Sequence, residues 1–132
     1  MLALDTNVLV RYLAQDDRSQ SLRATHLIEQ ELSGDAPGFV NLIVVCEVLW
    51  VLAGAYAMDE TALVSVIERM LAARELKIEQ SQLLRRALAI RTASGPGLAD
   101  ILIGLVNEAQ GSTETVSFDK RAARLPGWRL LS

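Results

Sequence analysis

The chain has 132 residues, of which 51% are apolar and only 5% aromatic, and it carries a formal net charge of −3. That size suits a single domain over residues 1–132 with one core of Leu, Ile, Val and Ala, and it excludes a disordered chain. The acidic balance excludes a general electrostatic footprint for nucleic acid. The single cysteine, Cys46, excludes an internal disulfide and fits a reducing cytoplasm.

The opening MLALDTNVLV has no basic leader and carries Asp5 among apolar residues, which does not read as a secretory signal. LALD reads as a short buried strand, and TNVLVRYLAQ turns at Thr6 and Asn7 into a helix that Asn7 is placed to cap. DRSQSLRATHLIEQELSG spaces Leu22, His26, Ile28 and Leu32 helically and stops at Gly34. His26 has no Cys or His at ligand spacing, so it gives no zinc motif. PGFV is a strand, and a helix from Asn41, its cap, runs to about Tyr56. That helix contains an apolar run from Leu42 to Ala53 broken by Glu47, short of the ~18 residues a membrane span needs. Cys46, beside its apolar face, reads as a small core residue.

DETALVSVIERMLAA is an amphipathic helix with Asp59 as its cap, LKIE a strand, and QSQLLRRALAIRTAS a helix. GPG punctuates, LADILIGLVNEAQG is a helix ended by Gly111, TETVSF a strand, DKRAARL a short helix and WRLL a last strand. Strands alternating with helices predict an α/β fold, with right-handed crossovers and a central, mainly parallel sheet covered on both faces. Ligands of such sheets bind beyond the carboxyl ends of the strands.

Asp5 and Asp119 each follow an apolar strand, and Glu47 and Asp100 sit on apolar helices. Asp100 falls in the first helical turn, where the helix dipole favours a carboxylate. Burying unpaired carboxylates is costly, and grouping them raises their pKa values unless a cation compensates. Glu47 has no Lys or Arg in its helix, and along the chain Asp100 has only Arg91 in its neighbourhood. Local ion pairing is therefore a poor account of the four acids, and a divalent cation with oxygen ligands a better one.

In this order and spacing, LALD with Thr6 and Asn7, CEVLWVL, GLADILIG and TVSFDK resemble the PIN domain of VapC-type toxins from bacterial toxin–antitoxin pairs. The resemblance covers essentially the whole chain. It implies a three-layer α/β/α sandwich around a sheet of four to five strands. It also implies a catalytic and metal-binding quartet of Asp5, Glu47, Asp100 and Asp119, supported through hydrogen bonds by Thr6, Asn7 and Ser117. Further implications are Mg²⁺- or Mn²⁺-dependent endoribonuclease activity on structured RNA such as tRNA or rRNA, a homodimer, and a small DNA-binding antitoxin as partner. The expected reaction is metal-assisted in-line attack of hydroxide on the phosphodiester, leaving a 5′-phosphate and a 3′-hydroxyl. A cytoplasmic location and no membrane association are expected.

Arg85, Arg86, Lys120, Arg121 and Arg124 are the candidates for RNA phosphate contacts. Trp50 and Tyr56 are open between the core and a dimer or antitoxin surface. A haloacid-dehalogenase-type phosphatase would want a second Asp where Asn7 stands. A phospho-receiver module would want an acid pair near the first strand, whereas Asp16 and Asp17 come too far downstream. A non-toxin PIN ribonuclease of RNA processing and a PIN-like scaffold without turnover are the remaining alternatives.

Overall fold

A computed structural model describes residues 1–131. They form two compact units, residues 1–80 and 81–131. The chain is α/β with parallel strands, as its element order predicts. Among the described residues four short strands hydrogen-bond as two parallel pairs, β1 with β2 in the first unit and β3 with β4 in the second.

In the first unit the LALD segment contributes a single parallel bridge, Ala3 to Phe39. The Leu4 amide donates to the Phe39 carbonyl at 2.9 Å. Helix α1 (Thr6–Ala14) is capped by Asp5 rather than by the expected Asn7, because the Asp5 carboxylate already takes the Thr6 amide. Helix α2 (Arg18–His26), capped by Asp17, continues into a π-helical turn over Leu27–Glu31. The side chains it buries are Ser21, Ala24 and Ile28, while Leu22 and His26 stay exposed. Buried Ser21 is satisfied by donating to the Arg11 carbonyl at 2.8 Å.

Strands β1 (Gly38–Val40) and β2 (Leu76–Ile78) flank helices α3 (Leu42–Gly54) and α4 (Glu60–Ala72) in sequence. Asn41 and Asp59 cap these helices as expected, accepting from the amides of Val44 and Ala62. Helix α4 buries Leu63, Val66, Ile67 and Met70, one stripe at helical spacing. Helix α3 buries Val44, Val45, Val48, Leu49 and Leu52. Its opposite side carries Ile43, Cys46, Glu47 and Trp50 into solvent, with Trp50 79% exposed. Cys46 is therefore a free surface thiol rather than a core residue. Glu47 is likewise not buried, because an apolar run does not say which of its faces packs.

In the second unit, helix α5 (Ser81–Ile90) is followed by α6 (Leu98–Ala109). Helix α6 buries Leu98, Ile101, Leu102 and Leu105, again one stripe. Strands β3 (Thr115–Ser117) and β4 (Trp128–Leu130) are joined through a 3₁₀ turn at Ala122–Arg124, where a short helix is predicted. No helix among the described residues is long and apolar enough to cross a membrane.

Candidate active site

The first unit holds Asp5 and Glu47 together through one residue. The Thr6 amide donates to Asp5 Oδ1 at 2.8 Å, and the Thr6 hydroxyl donates to Glu47 Oε1 at 2.7 Å. Thr6 can reach both because the chain leaves its extended segment at Asp5 and enters α1 at once, while α3 presents Glu47 on its solvent side. The two carboxylates line a cleft of about 360 Å³ together with Asn7, Arg11, Val51 and Tyr56.

Arg11 is the base that lines this cleft, and it is engaged elsewhere. Its Nη1 donates to both oxygens of Asp16 at 3.0 Å, and its Nε donates to Gln20 Oε1 at 2.8 Å. The Tyr56 hydroxyl donates to Asp16 Oδ2 at 2.5 Å. That bond, and then Arg11, hold the Asp16 carboxyl below its ordinary range, and the same bond raises the Tyr56 phenol. Among the described residues neither Asp5 nor Glu47 enters an ion pair. The sequence gives no signal for Arg11, Asp16 and Tyr56 as a group, since Tyr56 lies forty positions from its acceptor.

The second unit carries the other two acids. Asp100 is half-buried in the first turn of α6, as predicted, behind a glycine N-cap, Gly97, that offers no side-chain acceptor. Asp119 directs Oδ1 to the amides of Arg121 at 2.8 Å and Ala122 at 3.1 Å, which fixes the 3₁₀ turn. Its own amide donates to Ser117 Oγ at 2.9 Å, so Ser117 holds the backbone of Asp119.

Of the candidate phosphate contacts, Arg86 is paired with Glu108 at 3.4 Å. Arg121 Nη2 donates to the carbonyls of Ser94 and Gly95. Arg85, Lys120 and Arg124 are exposed. A separate cavity of this unit, about 370 Å³ and lined by Gly104, Glu114 and Trp128 among others, contains none of the four acids.

The donor chemistry fits a hard divalent cation. Asp5 and Glu47 offer carboxylate oxygens without a compensating Lys or Arg, and Mg²⁺ and Mn²⁺ are held by such oxygens. Among the described residues no group of three or more His, Cys, Asp or Glu side chains stands at ligand spacing.

The PIN-domain family model matches residues 2–127. The chain belongs to the PIN-domain family. No curated protein shows significant similarity to it. PIN domains are generally Mg²⁺-dependent nucleases, and the α/β architecture with parallel strands is that of their α/β/α sandwich. Membership removes the phosphatase and phospho-receiver readings. In this PIN domain the aspartate before the first helix is at once its N-cap and a wall of the acidic cleft.

Proposed function

We propose that this PIN domain is an endoribonuclease of the VapC type, with Asp5, Glu47, Asp100 and Asp119 as its essential carboxylates. The observation that carries the reading is the Asp5–Thr6–Glu47 arrangement, two carboxylates held on one threonine with no basic partner. Both carboxylates are exposed in one cleft, and the base that lines it with them, Arg11, is held by Asp16 and Gln20. Asp5 and Glu47, which share one cleft, would hold the ion. A bound Mg²⁺ or Mn²⁺ supplies charge neutralisation at the scissile phosphate and a lowered pKa for water. Thr6 orients Glu47, and Ser117 orients Asp119. Lys120 and Arg124 offer exposed positive charge beside Asp119 for the substrate backbone. Water adds to phosphorus and the bond to the 3′ oxygen breaks, giving a 5′-phosphate and a 3′-hydroxyl.

A toxin with this activity is held in check by a small DNA-binding antitoxin and acts as a homodimer on structured RNA. The test is mapping of new 5′-phosphate ends in total RNA treated with the purified chain. Discrete ends that need Mg²⁺ or Mn²⁺ and vanish with Asp119→Asn are expected. Ends that persist in the variant, or no ends with either metal, would overturn the nuclease assignment. Growth arrest of a bacterial host on expression, relieved by the same variant, separates a toxin from a housekeeping ribonuclease.

A further inference from the structure

Phe118 stands between Ser117 and Asp119, and it is 78% exposed. Burial is the main contribution a phenylalanine makes to a fold, so leaving one in water forgoes a large share of what the residue type offers. The backbone around it is not loose. The Ser117 carbonyl accepts from the Leu131 amide at 2.7 Å, and the Asp119 amide donates to Ser117 Oγ. The Asp119 carboxylate in turn takes the amides of Arg121 and Ala122. The ring is therefore presented from an anchored segment, one residue from a carboxylate assigned to the reaction.

Its surroundings carry unneutralised positive charge. Among the described residues Lys120 and Arg124 enter no ion pair, and Arg121 is engaged by carbonyl oxygens rather than by a carboxylate. In a chain of net charge −3, exposed bases two, three and six positions beyond an exposed ring suit a polyanion carrying flat apolar faces. Nucleic acid with unpaired bases meets both requirements. A continuous duplex keeps its base faces stacked on one another and offers none to the ring. Having no hydrogen-bonding group, Phe118 can select a base face but not a base edge, so its contribution is tolerant of sequence.

We propose that Phe118 is a stacking platform for one unpaired nucleobase of the substrate, a contact that continuous duplex cannot make. The inference rests on the nuclease reading and names what that site accepts. Phe118 is a substrate-positioning residue, and its contribution appears in binding as well as in cleavage.

The test is fluorescence anisotropy of the full chain with Ca²⁺ in place of Mg²⁺, using three labelled probes. These are a (CA)₆ RNA, an abasic ribose-phosphate strand of the same length, and the RNA in duplex with its complement. The wild type should bind (CA)₆ about tenfold more tightly than either other probe. Phe118→Leu should bring (CA)₆ down to the abasic level while leaving abasic binding unchanged, which also shows that the variant is folded. Phe118→Trp should keep the preference. A preference that survives Phe118→Leu, or duplex bound as well as (CA)₆, would overturn the proposal and direct Phe118 to a protein partner. If the wild type still makes metal-dependent cuts in total RNA after that result, the nuclease reading stands alone. If it neither cuts nor binds any probe, both readings fall.

Discussion

Thr6 serves two carboxylates with two different donors, and the roles can be separated. Thr6→Val removes the hydroxyl that holds Glu47 but keeps the amide that Asp5 takes. Helix α1 should stay capped, with a stability loss of about 0.5–1 kcal/mol in urea unfolding, while affinity for Mn²⁺ falls. Thr6→Ser should restore that affinity. Glu47→Gln keeps an acceptor for Thr6 on an exposed side chain, so stability without metal should move by no more than about 0.5 kcal/mol.

The Tyr56–Asp16–Arg11 group adds a pH dependence whose sign follows from the lowered Asp16 carboxyl. A carboxyl with a folded pKa below its ordinary value of 3.8 contributes stability that is fully present above that value. The contribution disappears as pH falls through the folded value. Tyr56→Phe removes the hydrogen bond that lowers the Asp16 carboxyl most, so urea melts from pH 7 down to about pH 2.5 should show a shallower acid limb than the wild type. An acid limb unchanged in Tyr56→Phe would place the pH dependence elsewhere.

Among the elements, caps were the most legible feature, because they depend on a side-chain acceptor and an amide three positions on. Asn41 and Asp59 behave that way. Asn7 does not, since α1 already starts at Thr6 with Asp5 as its cap and Asn7 falls inside the first turn. The stripes of α4 and α6 are likewise readable as period, whereas α3 is apolar all round and only packing decides that Glu47 and Trp50 face out. In the α2 segment the buried stripe runs through Ser21, Ala24 and Ile28, and the small polar and small apolar residues on it hide it from a reading that follows Leu22 and His26.

Gly104 illustrates an element whose composition makes sense only in tertiary context. A Cβ there would lie 2.5 Å from Trp128 Nε1 and 3.2 Å from its Cε2, and a rigid indole cannot yield cheaply. Helix propensity alone favours alanine by about 0.8–1 kcal/mol, while overpacking costs typically 1–3 kcal/mol. Gly104→Ala should therefore lower stability by up to about 2 kcal/mol and raise solvent quenching of Trp128 fluorescence. A stabilised variant would show that Trp128 does not pack on α6.

At the scale of the molecule, family membership and the parallel strand pairs follow from the order of elements along the chain, which local pattern reveals. The chemistry of the site was legible as residue type: acids at strand ends and on apolar helices, with hard oxygen donors. Its detailed support was not, because Thr6 meets Glu47 and Tyr56 meets Asp16 across forty or so positions of chain. Exposure also changes the argument for the cation. Glu47 is in water, so the case rests on its lack of a basic partner and its link to Asp5, not on a burial penalty.

The central claim, that these acids are kept for a divalent ion, is tested most directly by Mn²⁺ titration of the metal-free chain followed by thermal unfolding. An ion that binds only the folded state raises the midpoint with its concentration by mass action. The wild type should show a saturable rise, strongly reduced in Glu47→Gln and Asp5→Asn although both retain the wild-type midpoint without metal to within a few degrees. A wild-type midpoint that does not move with Mn²⁺ or Mg²⁺, or one that moves equally in both variants, would contradict the account.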